Sequence, residues 1–285
     1  MPDNLKLHTD IEFARAIRSM FQELDDRLGL TMPVTAYVAG GVAVHLYTAY
    51  RVSSDIDAEF SHRVLIPDDL YIEVPTARGV PQLLHFDQNY NSTFALMHDD
   101  YREASIPVPF DVPHFKVRAL APVDLAVSKI SRFVERDQAD IQMLVEHRLT
   151  NAAAIEARAM ESIPNFVGRR EWLELNIRDA VRLALNVELR QLGYTNETIS
   201  PSEPGKTYQG LVVAVLRDQV IQATPQGVVA HSRQSLVDSD LLAAGRHLEI
   251  AYPHGHAGLV QVVEAQREAG REDLQRHRQG PELDK

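Results

Sequence analysis

Apolar residues recur along residues 10–29 at Ile11, Phe13, Ala16, Ile17, Met20, Phe21, Leu24 and Leu28. Steps of three and four predict an amphipathic helix, and Gly29 closes it. A second apolar run, from Val34, ends in Gly40-Gly41; a helix-sized segment, Val42–Ala49, follows, and Asp55-Ile56-Asp57 opens another apolar run. LYIEV (70–74), QLLHFD (82–87) and TFALMH (93–98) predict short strands, with Asn89 and Asn91 placing a hairpin turn between the last two. FKVRAL (115–120) predicts one more strand, after which Pro122 stands where a helix would start.

Residues 123–147 predict a single long helix. Leu125, Val127, Ile130, Phe133, Val134, Ile141, Leu144 and Val145 form its apolar stripe, and Lys129, Arg132, Arg136 and Asp140 recur every three or four positions near one face. Residues 152–191 predict two further helices, with Gly193 near the end. TNETISPSEPGK (195–206) has a linker's composition, with two prolines, a glycine and polar residues. Beyond it, strand-like runs alternate with glycine turns and predict a small β-barrel. The charged segment from Glu264 to Lys285 reads as a solvated helix that frays.

The chemistry concentrates between Val34 and Phe60. Two glycines at a strand-to-helix junction let backbone N–H groups crowd onto a phosphate at the positive end of a helix. Asp55 and Asp57 are two residues apart on a strand, so both carboxylates leave the same face while Ile56 points into the core. Paired carboxylates repel unless a divalent cation neutralises them, and hard oxygen ligands suit Mg²⁺. Separately, a glycine pair serves as a turn and D-x-D as a solvated strand end. In sequence, they are what phosphoryl or nucleotidyl transfer requires.

The bulk properties narrow the field. At 285 residues the chain holds one ample core and a smaller second domain. There is no cysteine, which excludes disulfides, thiolate zinc sites and cysteine nucleophiles and fits a reducing compartment. No apolar run has membrane-spanning length and the first residues lack a signal-peptide core, so a cytoplasmic protein without a membrane partner is expected. A net charge of −11 opposes broad contact with a nucleic-acid backbone. A local basic groove remains open to Arg118, Lys129, Arg132 and Arg136, which could receive a triphosphate or a tRNA end.

With Arg51 and Ser53 directly upstream, R-V-S-S-D-I-D after Gly-Gly and a helix resembles the nucleotidyltransferase superfamily signature of the polymerase-β-like fold. The order strand, Ala121-Pro122, Asp124-Leu125, Lys129 and R-D-x-x-D-I looks like the distal half of AbiEii-type and minimal (MNT) nucleotidyltransferases, over roughly residues 30–148. The resemblance implies an α+β/α/β nucleotidyltransferase domain (1–150), a helical extension (151–194), a linker (195–206), a small β domain (207–264) and a charged tail (265–285). It implies Mg²⁺ on Asp55 and Asp57, Gly40 and Gly41 under the β and γ phosphates of an NTP, and phosphate contacts from Arg51, Ser53 and Lys129. Asp140 would orient Lys129 or the acceptor. Gly41 stands where many members carry serine. Asp87 is the first candidate for a third strand carboxylate, with Asp99 and Asp100 as alternatives.

The C-terminal order Y-x-G-x-V, V-I-Q, V-A-H-x-R-x-x-L and G-x-x-L-x-I-x-Y resembles the KfrB-type domain of plasmid and conjugative-element proteins. His231 and Arg233 are its notable polar residues, more simply read as a structural pair; His254 and His256 lie on a glycine loop. Together the two resemblances imply NMP transfer to a hydroxyl of tRNA or protein, in a toxin–antitoxin or phage-defence setting with a cognate antitoxin. Two other uses fit the same residues. One is an antibiotic-modifying nucleotidyltransferase, whose acidic surface suits a cationic aminoglycoside. The other is a catalytically inert adaptor of a plasmid or conjugative element.

Overall fold

A computed structural model describes residues 5–75, 79–195 and 198–263, and the predicted tail helix lies outside them. The chain divides between Gly193 and Tyr194 into two compact units.

The first unit opens with α1 (Glu12–Leu28), which buries Phe13, Ala14, Ile17, Met20, Phe21 and Leu24. Gly29 ends it in the left-handed region (φ 56°), its N–H bonded to Asp25 O at 3.0 Å. Next come β1 (Val34–Val38) and α2 (Gly40–Thr48), which begins at Gly40, two residues earlier than expected. The D-x-D segment is not one strand. β2 (Asp55–Ile56) and β3 (Ala58–Phe60) are separated at Asp57 and join different sheets. β4 (Tyr71–Val74) and β5 (Gln82–Phe86) agree with the apolar pattern.

TFALMH is not a strand, and no hairpin joins it to β5. Ser92–Phe94 form a 3₁₀ turn capped by the Asn91 side chain, which accepts from Thr93 N at 2.9 Å. The local Asn91 hydrogen bond offers the backbone an alternative to a ladder. α3 (Tyr101–Ala104), β6 (Ile106–Pro107) and β7 (Phe115–Ala119) follow, and then α4 (Pro122–Ser128), with proline in its first turn.

The helix expected over 123–147 is broken. α4 stops before Lys129, Phe133 turns to φ 48°, and α5 runs Glu135–Glu146. Asp137 holds the restart by accepting from Val134 N at 3.2 Å, a first-turn carboxylate binding an orphan amide. α6 (Ala152–Ser162) and α7 (Arg170–Gln191) match the two predicted helices and belong to this same unit.

Two sheets organise the unit. One has the order β3-β1-β7-β6, with β1 parallel to β7 and both edge strands antiparallel. The other is β2-β5-β4, with β2 parallel to β5 and β4 antiparallel to it. Among the described residues this unit has seven α-helices, and none of the described helices is long and apolar enough to cross a membrane.

The second unit comprises β8 (Ser200–Pro201), β9 (Thr207–Val215), β10 (Gln219–Thr224), β11 (Gly227–Ser232), β12 (Leu236–Val237), β13 (His247–His254) and β14 (Ala257–Val262). The predicted barrel is replaced by an open seven-stranded sheet in the order β12-β14-β13-β9-β10-β11-β8. Its ends are two-residue strands, β12 pairing β14 and β8 pairing β11, which cover part of each edge rather than closing it. β8 comes from the segment read as a linker, and Gly205 N bonds Tyr252 O at 2.8 Å, so that segment joins the sheet. Val212, Val220, Leu248, Ile250, Tyr252 and Val260 form its core.

Candidate functional site

β1 delivers the chain to Ala39, whose N–H bonds Asp57 O at 2.8 Å and ties the helix entry to the D-x-D segment. Gly40 then takes φ 59°, and a Cβ there would lie 1.6 Å from Asp57 Oδ2. Glycine is required twice over, by the backbone angle and by the carboxylate against it. A Cβ on Gly41 would lie 2.6 Å from Arg51 Nη1. The space a serine side chain would enter is held by guanidinium, which accounts for glycine at this position.

One oxygen from each of Asp55, Asp57 and Asp87 lies within 4.8 Å of the other two, and all three residues are half-buried. The ladder bonds His85 N to Ser54 O and Asp87 N to Ile56 O carry β5 past β2 and bring Asp87 alongside the D-x-D pair. Ser53 and Ser54 hydroxyls donate to Asp55 Oδ1 at 3.2 and 2.8 Å, and Asn89 N donates to Asp87 Oδ1 at 2.8 Å. Burial first, then the charges of Asp55 and Asp87, push Asp57 up to about 6, with Lys129 and Arg132 pulling the other way. Three acceptor-only groups this close, with one driven toward protonation, fit a hard divalent cation such as Mg²⁺. The alternatives for the third carboxylate lie elsewhere: Asp99 accepts from Asn165, and Asp100 binds Arg158 and His98.

Beside the carboxylates runs an alternating chain of charges. Arg51 grips Asp140 through Nε and Nη2 at 2.8 and 2.7 Å. Lys129 Nζ lies 2.7 Å from the same carboxylate and 4.0 Å from Asp137. Arg132 in turn holds Asp137 with two bonds of 2.8 Å. Burial alone would raise the Asp140 carboxyl, but the bonds and charges of Arg51 and Lys129 override it and hold it below its usual range. Lys129 is 6% exposed in its side chain and Arg132 68%. With the chain broken between α4 and α5, Lys129 lies inside and Arg132 outside. Arg136 is exposed on α5 and Arg118 is engaged by Ser105; of the four basic residues expected here, Lys129 and Arg132 are tied to Asp140 and Asp137.

The sequence reading missed His45 and Ser54. Buried on α2, His45 donates from Nδ1 to Arg51 O at 2.7 Å, and its Nε2 is buried without a partner. Burial, the largest influence, lowers its pKa, so the neutral ring makes this bond. A lone histidine in the apolar run VAVHLY was the available signal. Ser54 stood inside the motif.

In the second unit, His231 pairs with Gln222 and Tyr252 rather than with Arg233, which bonds Leu216 O. Gln222 spends its amide N–H groups on Gly210 O and Leu248 O, so its oxygen accepts from His231 Nε2–H. Nδ1 then accepts from the Tyr252 hydroxyl at 2.8 Å. His254 and His256 are exposed, and the one three-residue metal-capable cluster among the described residues is the aspartate trio.

Comparison with known proteins agrees in outline. An uncharacterized 22.8 kDa protein of Shigella flexneri is 34% identical over 79 residues, covering 27% of this chain and 40% of that relative's length. A type IV secretion system effector protein, BepA, aligns over 86% of this chain and 90% of its own at 10% identity; its TM-score of 0.19 carries no argument. Residues 207–261 match the KfrB domain. Residues 15–177, more than half of the chain, match the family described as nucleotidyltransferase of unknown function (DUF6036), and the chain belongs to that family.

Proposed function

We propose that the first unit is a Mg²⁺-dependent nucleotidyltransferase with a polymerase-β-like core, moving an NMP from an NTP to a hydroxyl acceptor with release of pyrophosphate. The observation that carries this reading is the convergence of Asp55, Asp57 and Asp87 within 4.8 Å against the glycine N-terminus of α2. Asp55, Asp57 and Asp87 would hold the cation, which when bound supplies charge neutralisation at the phosphates. The amides of the first turn of α2 would donate to anionic phosphate oxygens. Arg132, exposed but paired with Asp137, would offer its outward guanidinium edge to phosphate, while Asp140 keeps Arg51 and Lys129 fixed as a positive wall. The KfrB domain, together with the resemblance to AbiEii-type proteins, supports a toxin–antitoxin or defence role on a mobile element.

The test is incubation with each α-labelled NTP, Mg²⁺, total tRNA and cell lysate, beside Asp55→Asn and Asp57→Asn. Label transferred by the native chain and lost in both variants is expected. Nucleotide bound without transfer to any acceptor would move the chain to the inert-adaptor reading.

A further inference from the structure

The strand pairing of β2, β5 and β4 sorts their side chains onto two faces. Paired residues in adjacent strands share a face, and faces alternate along each strand. Ile56, Leu84, Phe86 and Val74 are buried on the inner face, none more than 4% exposed. The outer face holds a single row across the three strands, Asp55 opposite His85 opposite Tyr71, and beside it the pair Leu83 and Glu73. Tyr71 is 55% exposed and Leu83 48%; His85 and Glu73 are exposed as well. The face that carries Asp55 thus continues directly into an uncovered aromatic and apolar surface.

Its charge selects the occupant. No outward position of these three strands is lysine or arginine, and Glu73 adds a negative charge that the metal site does not neutralise. A polynucleotide would bring a phosphate per nucleotide to strand positions that offer it no lysine or arginine, whereas base-independent grip on nucleic acid comes from Lys and Arg. A polypeptide with an apolar side chain and a basic one suits Tyr71, Leu83 and Glu73.

We propose that the acceptor is a serine, threonine or tyrosine hydroxyl of a polypeptide docked across this face, an inference that rests on the nucleotidyltransferase reading above. The hydroxyl oxygen bonds to the α-phosphorus of the NTP, the bond to the bridging oxygen breaks, pyrophosphate leaves with that electron pair, and the hydroxyl proton passes to solvent. Neighbouring strands are ~4.8 Å apart, so Asp55 and Tyr71 are separated by about 10 Å, or about three residues of extended peptide at ~3.4 Å each. The docked apolar residue therefore sits about three positions from the modified hydroxyl.

The experiment uses the full chain, α-labelled NTP and Mg²⁺ with defined acceptors. These are synthetic peptides with one central hydroxyl residue and a leucine at varied spacing, carrying either arginine or glutamate, and in parallel purified tRNA. Labelling of arginine peptides with the leucine about three positions away is expected. Leu83→Asp should raise the peptide KM about tenfold more than it changes kcat, the loss of one buried leucine contact. Glu73→Lys should reverse the preference toward glutamate peptides, a change that a merely structural role would not produce. Label on tRNA and none on peptides overturns the acceptor assignment and leaves the nucleotidyltransferase reading standing. Peptide labelling indifferent to Leu83→Asp and Glu73→Lys overturns the docking face. No label on any acceptor removes the underlying reading and this inference with it.

Discussion

Gly40 shows how much one missing side chain can hold. Its φ of 59° alone costs an L-residue about 1–2 kcal/mol. The methyl group of alanine would also displace Asp57 Oδ2, 1.6 Å from where it must sit. Gly40→Ala is expected to abolish Mn²⁺ binding by calorimetry while circular dichroism keeps the native helix content; unchanged affinity would detach Asp57 from the metal. His231 gives a second test at this scale. Burial lowers it to about 4 from the ordinary 6.5, so the unfolded chain binds the proton first. The neutral ring's stability is fully present above pH 6.5 and is lost as pH falls toward 4, about 3 kcal/mol at most. Protection factors across β10 and β11, which remove the intrinsic pH dependence of exchange, should therefore fall between pH 7 and 4.5 in the native chain and far less so in His231→Leu. The D-x-D pair was legible as two carboxylates separated by a single residue, although the single strand expected to give them a common face is interrupted at Asp57. Asp87 joined it only as one of three options, since no local pattern says which distant acid a ladder brings alongside. His45 stayed hidden because a buried hydrogen bond to a main-chain carbonyl leaves no periodic mark.

The segment between α4 and α5 is where element and site meet. Its apolar stripe reads as an unbroken helix, and periodicity alone cannot reveal a stop at which both flanking turns keep the same buried face. What breaks it is local and polar: Arg132 and the Val134 amide both bind Asp137, and Phe133 takes up the positive φ. The consequence is a division of labour among cations, with Lys129 inside and Arg132 outside. Asp140 is fully buried between Arg51 and Lys129, so Asp140→Ala leaves two charges without their partner and should cost about 3–5 kcal/mol in urea denaturation. Arg132→Ala takes two bonds from the buried Asp137 carboxylate but leaves it the Val134 amide and Lys129 at 4.0 Å, so it should cost less, about 1–3 kcal/mol, while NTP affinity falls. Equal destabilisation by the two substitutions would mean that Arg132, too, is part of the fold's framework.

At the scale of the whole chain, composition and turn residues marked a second, all-β region but not its outline. Glycine turns between short strands suit a barrel and an open sheet equally; the difference lies in whether the outer strands find each other, which depends on pairing far apart in sequence. Here β12 and β8 occupy the two ends, and β8 comes from a stretch whose prolines and polar residues read as a linker. Pro201 is admissible because an edge strand can spare an N–H. The compact unit accordingly begins at Tyr194, thirteen residues before Thr207, where the KfrB match starts. Those residues are attached by more than the chain: Ser200 and Pro201 pair with Val229 and Ala230, the Tyr194 hydroxyl donates to Thr224 O at 3.1 Å, and Glu203 N donates to the Tyr208 hydroxyl at 2.9 Å. Removing them exposes the β11 edge and strips acceptors of their partners, each worth about 1 kcal/mol. A fragment spanning 194–263 should therefore melt several degrees above one spanning 207–263, and the shorter fragment should self-associate in sedimentation as its bare edge recruits a second copy. Identical melting temperatures would show that the family-matched core folds without its preceding strand.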